Sequence, residues 1–239
     1  MLMVVTGHSY PQISRAQLQK MCAVYEPGIG LEPENSQRIN RIDREFRAAF
    51  KLLETMPKSV SVFGSNVVVE GNQYYGEARR LAARLVKELG YAVVTGGGPG
   101  IMEAANRGAA EAGGVSVGFT IDIAHAEPRN TYANQELPFH YFFTRKVALS
   151  FAASMYIFFP GGYGTLDEFF ELITLIQTRK IQAIPIYCYG SRYWQPVHRL
   201  LHVYARKDGY ISDADFELFT VTDDLDLIMQ AARQAPTRE

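Results

Sequence analysis

One stretch of this chain sets a carboxylate beside a turn suited to an anion: Pro160-Gly161-Gly162-Tyr163-Gly164-Thr165-Leu166-Asp167-Glu168. It follows the apolar run Met155–Phe159 and reads as a strand end, a glycine turn, and a helix over Thr165–Thr178. In that reading Asp167 and Glu168 fall in the first helical turn. Backbone N–H groups and the positive end of a helix dipole meet at such a turn, which suits phosphate. Gly161, Gly162 and Gly164 leave the amides bare, Thr165 adds a hydroxyl, and Glu168 stands close to any bound anion. A carboxylate beside an anion is electrostatically costly, so the arrangement points to a working group. The plainer alternative is a tight strand–helix connection whose two acids match the dipole.

Arg145-Lys146 precedes Glu168 by 23 residues, one helix plus one strand, a spacing that can return all three to one edge of a sheet. Arginine recognises phosphate through two parallel hydrogen bonds. A basic pair at a helix start opposes the dipole, which favours a ligand-directed role over neutralisation of neighbouring acids. Two more strand ends carry glycine: Phe63-Gly64-Ser65-Asn66, and Thr95-Gly96-Gly97-Gly98-Pro99-Gly100 followed by Ile101-Met102-Glu103. In an open parallel sheet such ends share the edge where ligands bind. The second run is not a dinucleotide fingerprint, because Ile101 stands where the last glycine belongs, and no P-loop sequence occurs. Two cradling turns suit a mononucleotide, with one anionic group and one sugar.

The elements that must position these residues alternate from Lys58 onward. Strands are expected at Ser59–Phe63, Tyr91–Thr95, Val115–Phe119, His140–Phe143, Met155–Phe159, Ala183–Tyr189 and Phe219–Thr222. Helices are expected at Tyr74–Leu89, Ile101–Ala112, Arg145–Ala153, Thr165–Thr178, Trp194–Ala205 and Asp223–Ala232. Continuous apolar strands separated by helices predict an α/β fold, a doubly wound, Rossmann-like parallel sheet. Asp122–Pro138 reads as one long polar connection, which includes Glu127, Arg129 and Asn130. Residues 1–57 read as a helical N-terminal extension to a catalytic domain over 58–239. It comprises helices at Ser14–Val24 and Gln37–Leu53, separated by the breakers Pro27-Gly28 and Pro33-Glu34-Asn35. The second helix places Ile39, Ile42, Phe46, Phe50 and Leu53 on one face and Arg38, Arg41, Arg44 and Arg47 on a solvated one.

Composition narrows the function classes. With 239 residues, 47% of them hydrophobic, the chain can bury one sizeable core. A net charge of -1 argues against a nucleic-acid binder. Cys22 and Cys188 lack metal-ligand spacing and fit a reducing compartment. With no basic leader and no bilayer-length apolar run, the expectation is a cytoplasmic protein with no membrane partner. His198 and His202 have helical i, i+4 spacing, but Arg199 replaces the glutamate a zinc-protease helix needs; His8, His125 and His140 are scattered. No G-x-S-x-G elbow occurs, and nothing frames Lys146 as a pyridoxal Schiff base. No metal and no cofactor are expected. Phe142, Phe143, Phe151, Phe158 and Phe159 read as core.

Taken together, Pro160–Glu168, the Arg145-Lys146 pair and the Gly96–Gly100 turn resemble the LONELY GUY (LOG) family, the cytokinin riboside 5′-monophosphate phosphoribohydrolases often mislabelled lysine decarboxylase-like. The resemblance covers roughly residues 58–195, and Gly98–Glu103 looks like the longer bacterial members. It implies hydrolysis of the N-glycosidic bond of a nucleoside 5′-monophosphate, of the AMP or cytokinin riboside monophosphate type, to free base and ribose 5-phosphate. Arg145 and Glu168 are the implied catalytic pair, with Arg145 clamping substrate and helping to hold Glu168 ionised. Gly64, Ser65, Gly97, Gly98, Gly100, Met102, Lys146, Gly161, Gly162, Gly164 and Thr165 are the implied substrate contacts. The family also implies a homodimer or larger even-numbered assembly through Arg145–Ala153 and Thr165–Thr178, with Leu172, Leu175 and Ile176 as the apolar face. The rival reading is a nucleotide- or pterin-cofactor carrier on the same fold, without hydrolysis.

Overall fold

The structure, a computed structural model, describes residues 32–56, 58–122 and 129–237. The chain divides between Arg41 and Ile42 into two units, and the sheet lies in the second. Helix α1 (Pro33–Glu54) crosses that division. It starts earlier than expected, because Pro33 occupies the first helical position, where its missing N–H has no intrahelical partner to lose. Ala49 and Leu53 of α1 are buried, as is Met56; Phe50 is 41% exposed, and the four arginines face solvent. The expected helix Ser14–Val24 lies outside the described residues.

The remaining elements alternate: β1 (Ser59–Phe63), α2 (Gln73–Leu89), β2 (Ala92–Thr95), α3 (Ile101–Glu111), β3 (Ser116–Ile121), β4 (Gln135–Phe139), α4 (Phe142–Phe151), β5 (Met155–Phe158), α5 (Tyr163–Gln177), β6 (Ile186–Tyr189), α6 (Ser191–Leu201), α7 (Asp213–Phe216), β7 (Thr220–Thr222) and α8 (Leu225–Gln234). All seven strands are parallel, in the order β4-β3-β2-β1-β5-β6-β7. The chain builds outward from β1 to β4, then returns to β1 and builds the other way from β5. This is the doubly wound arrangement, and the reversal beside β1 opens a crevice at the carboxyl ends of β1 and β5.

Both faces of the sheet are covered. Val60, Val62, Val93 and Ile157 pack with α2, α3 and α8, whereas Phe63, Val94, Phe119 and Phe158 pack with α4, α5 and α6. The two buried serines of β1 lie on the α4 side. Ser59 Oγ donates to Ala152 O and Ser61 Oγ to Leu149 O, so the open carbonyls at the end of α4 find partners in the central strand.

Three expectations need correction. The fourth strand is Gln135–Phe139, not His140–Phe143, and it interrupts what reads in the sequence as one connection. Its polar residues and Pro138 conceal it, and both are tolerated because it is an edge strand. Phe142 and Phe143 instead open α4, which places Arg145 at its fourth residue. Helix α5 begins at Tyr163, which puts Asp167 and Glu168 in its second turn rather than its first.

Candidate active site

Three glycine turns meet at the switch in strand order, and backbone bonds join them. Ser65 N donates to Pro160 O at 3.0 Å, linking the turns after β1 and β5, and Ile101 N donates to Ser65 O at 2.9 Å, linking those after β1 and β2. The close approach needs glycine. A Cβ on Gly100, whose φ is +74°, would lie 2.2 Å from Ser65 O, and one on Gly161 would lie 2.0 Å from Thr165 Oγ1.

In front of the joined turns is a cavity of about 440 Å³. Of the residues expected from sequence, Gly64, Met102, Arg145, Lys146, Gly162, Gly164, Thr165 and Glu168 line it. Ser65, Gly97, Gly98, Gly100 and Gly161 do not; Ser65 joins the turns through its main chain, the Gly97 and Gly98 carbonyls accept from Asn130, and Gly100 and Gly161 leave no room for a Cβ. Sequence reasoning passed over Gly96, Asn66, Phe142 and Tyr163, which also line the cavity. Gly96 could have been found from its place in the glycine run, since a Cβ there would fall 2.0 Å from Arg145 Nη2. That glycine is the gap through which the arginine reaches the sheet edge.

The helix starts at this cavity differ from those elsewhere. Asn72, Ser212 and Asp224 cap α2, α7 and α8 with their own side chains, and Asp223 accepts from Ser191 N at the start of α6. Helices α3 and α5 have glycine N-caps, Gly100 and Gly162, with no side-chain cap and, in α5, no first-turn acid. The first-turn N–H groups of α5 have no intrahelical partner, and Tyr163, Gly164 and Thr165 carry them along the cavity wall. The end of the helix that best receives an anion is left without a protein acceptor at its cap.

Glu168 enters the cavity from the next turn. It is largely buried, and Oε2 has no hydrogen-bond partner among the described residues. Burial raises its pKa from 4.5 to about 7, Lys146 opposes the rise, Glu171 adds to it, and Arg145 opposes it more weakly. Arg145 acts in the expected direction, towards the ionised form, but desolvation prevails and the larger opposing charge is Lys146.

The two basic neighbours diverge, as adjacent residues on a helix must. Arg145 Nε donates to Phe119 O at 2.6 Å and Nη2 to Gly96 O at 3.1 Å, which fixes the guanidinium against the ends of β3 and β2. Lys146 Nζ reaches Asp167 Oδ2 at 2.7 Å and Glu171 Oε2 at 2.5 Å on α5. Burial pulls the Lys146 pKa down, but Asp167, Glu171 and Glu168 outweigh it and hold the ammonium above its ordinary range.

Other expected groups fall elsewhere. Phe158 and Phe159 are core, but Phe142, Phe143 and Phe151 are exposed. Leu172 and Ile176 are buried in the chain's own core, so they cannot form the apolar face of an interface; Phe170 and Tyr163 are the exposed rings of α5. His198 and His202 pack their rings on Phe216 at 4.3 and 5.5 Å, and no group of residues with metal-binding geometry occurs among the described residues. His8, His125 and Glu127 lie outside the described residues.

Comparison with known proteins agrees with this fold. A cytokinin riboside 5′-monophosphate phosphoribohydrolase of Rhodococcoides fascians is 26% identical over 179 residues, 74% of this chain and 90% of the relative. The crystal structure of the protein TM1055 superposes with a TM-score of 0.55 at 23% identity, covering 74% of this chain and 99% of that one. The molybdenum cofactor carrier protein of Chlamydomonas reinhardtii has a TM-score of 0.54 at 19% identity, with 74% and 97% covered. At such identities both structures speak to the fold alone. Residues 102–232, which run from the first turn of α3 to α8 and include Arg145 and the whole of α5, match the family described as possible lysine decarboxylase. With that match over more than half its length, joined to the fold and to Pro160–Glu168, the chain belongs to this lysine decarboxylase-like, or LOG, family.

Proposed function

We propose that this protein hydrolyses the N-glycosidic bond of a nucleoside 5′-monophosphate, releasing the free base and ribose 5-phosphate. The observation that carries the reading is Glu168: a largely buried carboxyl with an unpartnered oxygen and a pKa near 7, in the same cavity as the uncapped start of α5. A pure carrier has less need of such a group beside an anion site. The 5′-phosphate binds the first-turn amides of α5 and the Thr165 hydroxyl, and Arg145 adds positive charge from the opposite wall. The ribose then lies over Glu168. As the bond to the base stretches, positive charge develops on the ribose ring, and the Glu168 carboxylate stabilises it. The C1′–N bond breaks with its electron pair going to the base; water adds at the anomeric carbon, one of its protons ends on the leaving base, and the other stays on the new anomeric hydroxyl.

The test is to incubate the purified protein with AMP, other nucleoside monophosphates and an N6-prenylated AMP, and to separate any free base by chromatography. AMP should be cleaved and adenosine, at matched concentration, should not, because adenosine leaves the α5 amides without an anion. Comparable turnover of the two would remove the phosphate from the mechanism. Tight AMP binding with no base released from any nucleotide would leave a carrier.

A homodimer or larger even-numbered assembly is part of the same reading. Phe142, Phe143 and Phe170 are 57%, 50% and 40% exposed and Tyr163 is 94% exposed, all on the helices that form the cavity mouth. Light scattering at micromolar concentration should give at least a dimeric mass, and a monomer would refute the assembly. No helix among the described residues is long and apolar enough to cross a membrane; a cytoplasmic location is proposed with the nucleotide substrate.

A further inference from the structure

Behind the cavity, buried polar side chains tie β2 to β3. Asn106 of α3 is 0% exposed. Its Oδ1 accepts from Thr95 Oγ1 at 2.6 Å and from Asn130 Nδ2 at 3.0 Å, while its Nδ2 donates to Ser116 Oγ at 2.9 Å and Val117 O at 3.1 Å. Every donor and acceptor position of this amide is used, as burial requires. Asn130, 8% exposed, extends the set to the turn after β2. Its backbone N donates to Gly97 O at 3.0 Å, its Nδ2 to Gly98 O at 2.9 Å, and its Oδ1 accepts from Tyr132 N at 3.1 Å. Thr95 Oγ1 accepts from Gly97 N at 2.9 Å on the inner side of the same turn.

Arg145 bridges the same two strands. Its two carbonyl partners are Gly96 O, beside the turn that Asn130 grips, and Phe119 O, two residues beyond Val117. The guanidinium passes so close to Gly96 that a Cβ there would meet it at 2.0 Å. The position of the turn and the position of the arginine are therefore one geometric variable.

We propose that Asn130, oriented by Asn106, is a positioning residue: by fixing the Gly96–Gly98 turn it sets the guanidinium of Arg145 for the substrate. This rests on the hydrolase reading above. Asn130 does not touch the cavity and acts only through Arg145. Asn134 supplies the control. It accepts from Ser116 N and donates to Gly114 O, so it braces the start of β3 without contacting the turn.

The experiment is a mutant cycle on AMP, read both as base release and as calorimetric affinity. Asn130→Ala should lower kcat/KM by about 10²-fold, the usual consequence of misplacing a clamp by about 1 Å. In an Arg145→Ala background it should cause no further loss, since the residue it positions is gone. Asn134→Ala should lower the melting temperature and leave AMP affinity unchanged. Asn130→Asp keeps the shape and the Tyr132 bond but puts an acceptor against Gly98 O, and it should repeat the Asn130→Ala result if that variant unfolds. Wild-type kinetics in either Asn130 variant, an equal loss in the Arg145→Ala background, or failure of both variants to fold overturns the positioning role while leaving the hydrolase reading intact. A wild-type chain that neither binds AMP nor releases base overturns the hydrolase reading, and the positioning role falls with it.

Discussion

Glu168→Gln should sharply lower base release while making the protein more stable above neutral pH. The activity loss follows from removing the only negative charge assigned to the developing ribose cation. Deleting one electrostatic contact of this kind costs about 10²–10³ in rate. AMP binding should survive, because the α5 amides and Arg145 remain. The stability gain follows from the sign of the pKa shift. Glu168 keeps its proton to about pH 7 in the folded chain but only to the ordinary 4.5 when unfolded. Between those values the unfolded chain holds fewer protons, so stability falls as pH rises, and above pH 7 the full loss of about 3 kcal/mol stands. Glutamine never ionises and avoids it. Urea midpoints of wild type and variant should coincide near pH 4.5 and separate by pH 8. In the wild type, kcat/KM should rise through about pH 7 as the carboxylate forms. Near-wild-type turnover at saturating AMP would show that this carboxyl is not the acting group, and midpoints that coincide at both pH values would show that it is not an unpaired buried charge.

Arg145→Ala should weaken AMP binding by at least about tenfold and lower turnover with it; loss of one partner from a desolvated charge-assisted contact costs about 2–5 kcal/mol. It also strips Phe119 O and Gly96 O of their donors, at about 1–3 kcal/mol for each acceptor left buried and unpaired, so the melting temperature should fall. Arg145→Lys should recover part of the affinity only. An ammonium supplies one point charge and cannot serve two carbonyls and a phosphate in the plane of a fork. Calorimetry with AMP and base release on the three proteins measures both effects. An Arg145→Ala protein that binds and cleaves as the wild type does would reduce the arginine to a strut between β2 and β3.

The doubly wound sheet was legible because its signals are local. The apolar strands of the centre, the stop at Gly90 and the glycine turns each announce themselves within a few residues. The strand Gln135–Phe139 escaped notice because an edge strand need not be apolar on both faces and can tolerate Pro138. At the site, residue types were readable and their division of labour was not. Ser65, Gly97, Gly98 and Gly100 share the sequence signature of ligand contacts, yet Ser65 bonds to Pro160 and Ile101, and Gly97 and Gly98 to Asn130; Gly96, in the same run, faces the cavity. Only the crossing of β1 between β2 and β5 decides which glycine is in front. The protonation balance of Glu168 was out of reach for a similar reason: it depends on how much protein covers the carboxyl, and burial of one atom is a sum over residues distant in sequence. Leu172 and Ile176 carried a helical apolar stripe that fits a partner as well as a core, and only packing assigns it to the core.

The bonds that join the three turns have a consequence for how this scaffold can change over time. Ser65 N to Pro160 O and Ile101 N to Ser65 O are main-chain contacts, indifferent to side-chain identity so long as the glycines persist. They make the anion end of the cavity a rigid fixture inherited with the sheet. Phe142 and Tyr163, by contrast, meet the cavity from positions 57% and 94% exposed. Substitutions there are nearly free of folding penalty. Ligand preference can therefore drift at the rim while the end of the cavity proposed for the phosphate stays constant.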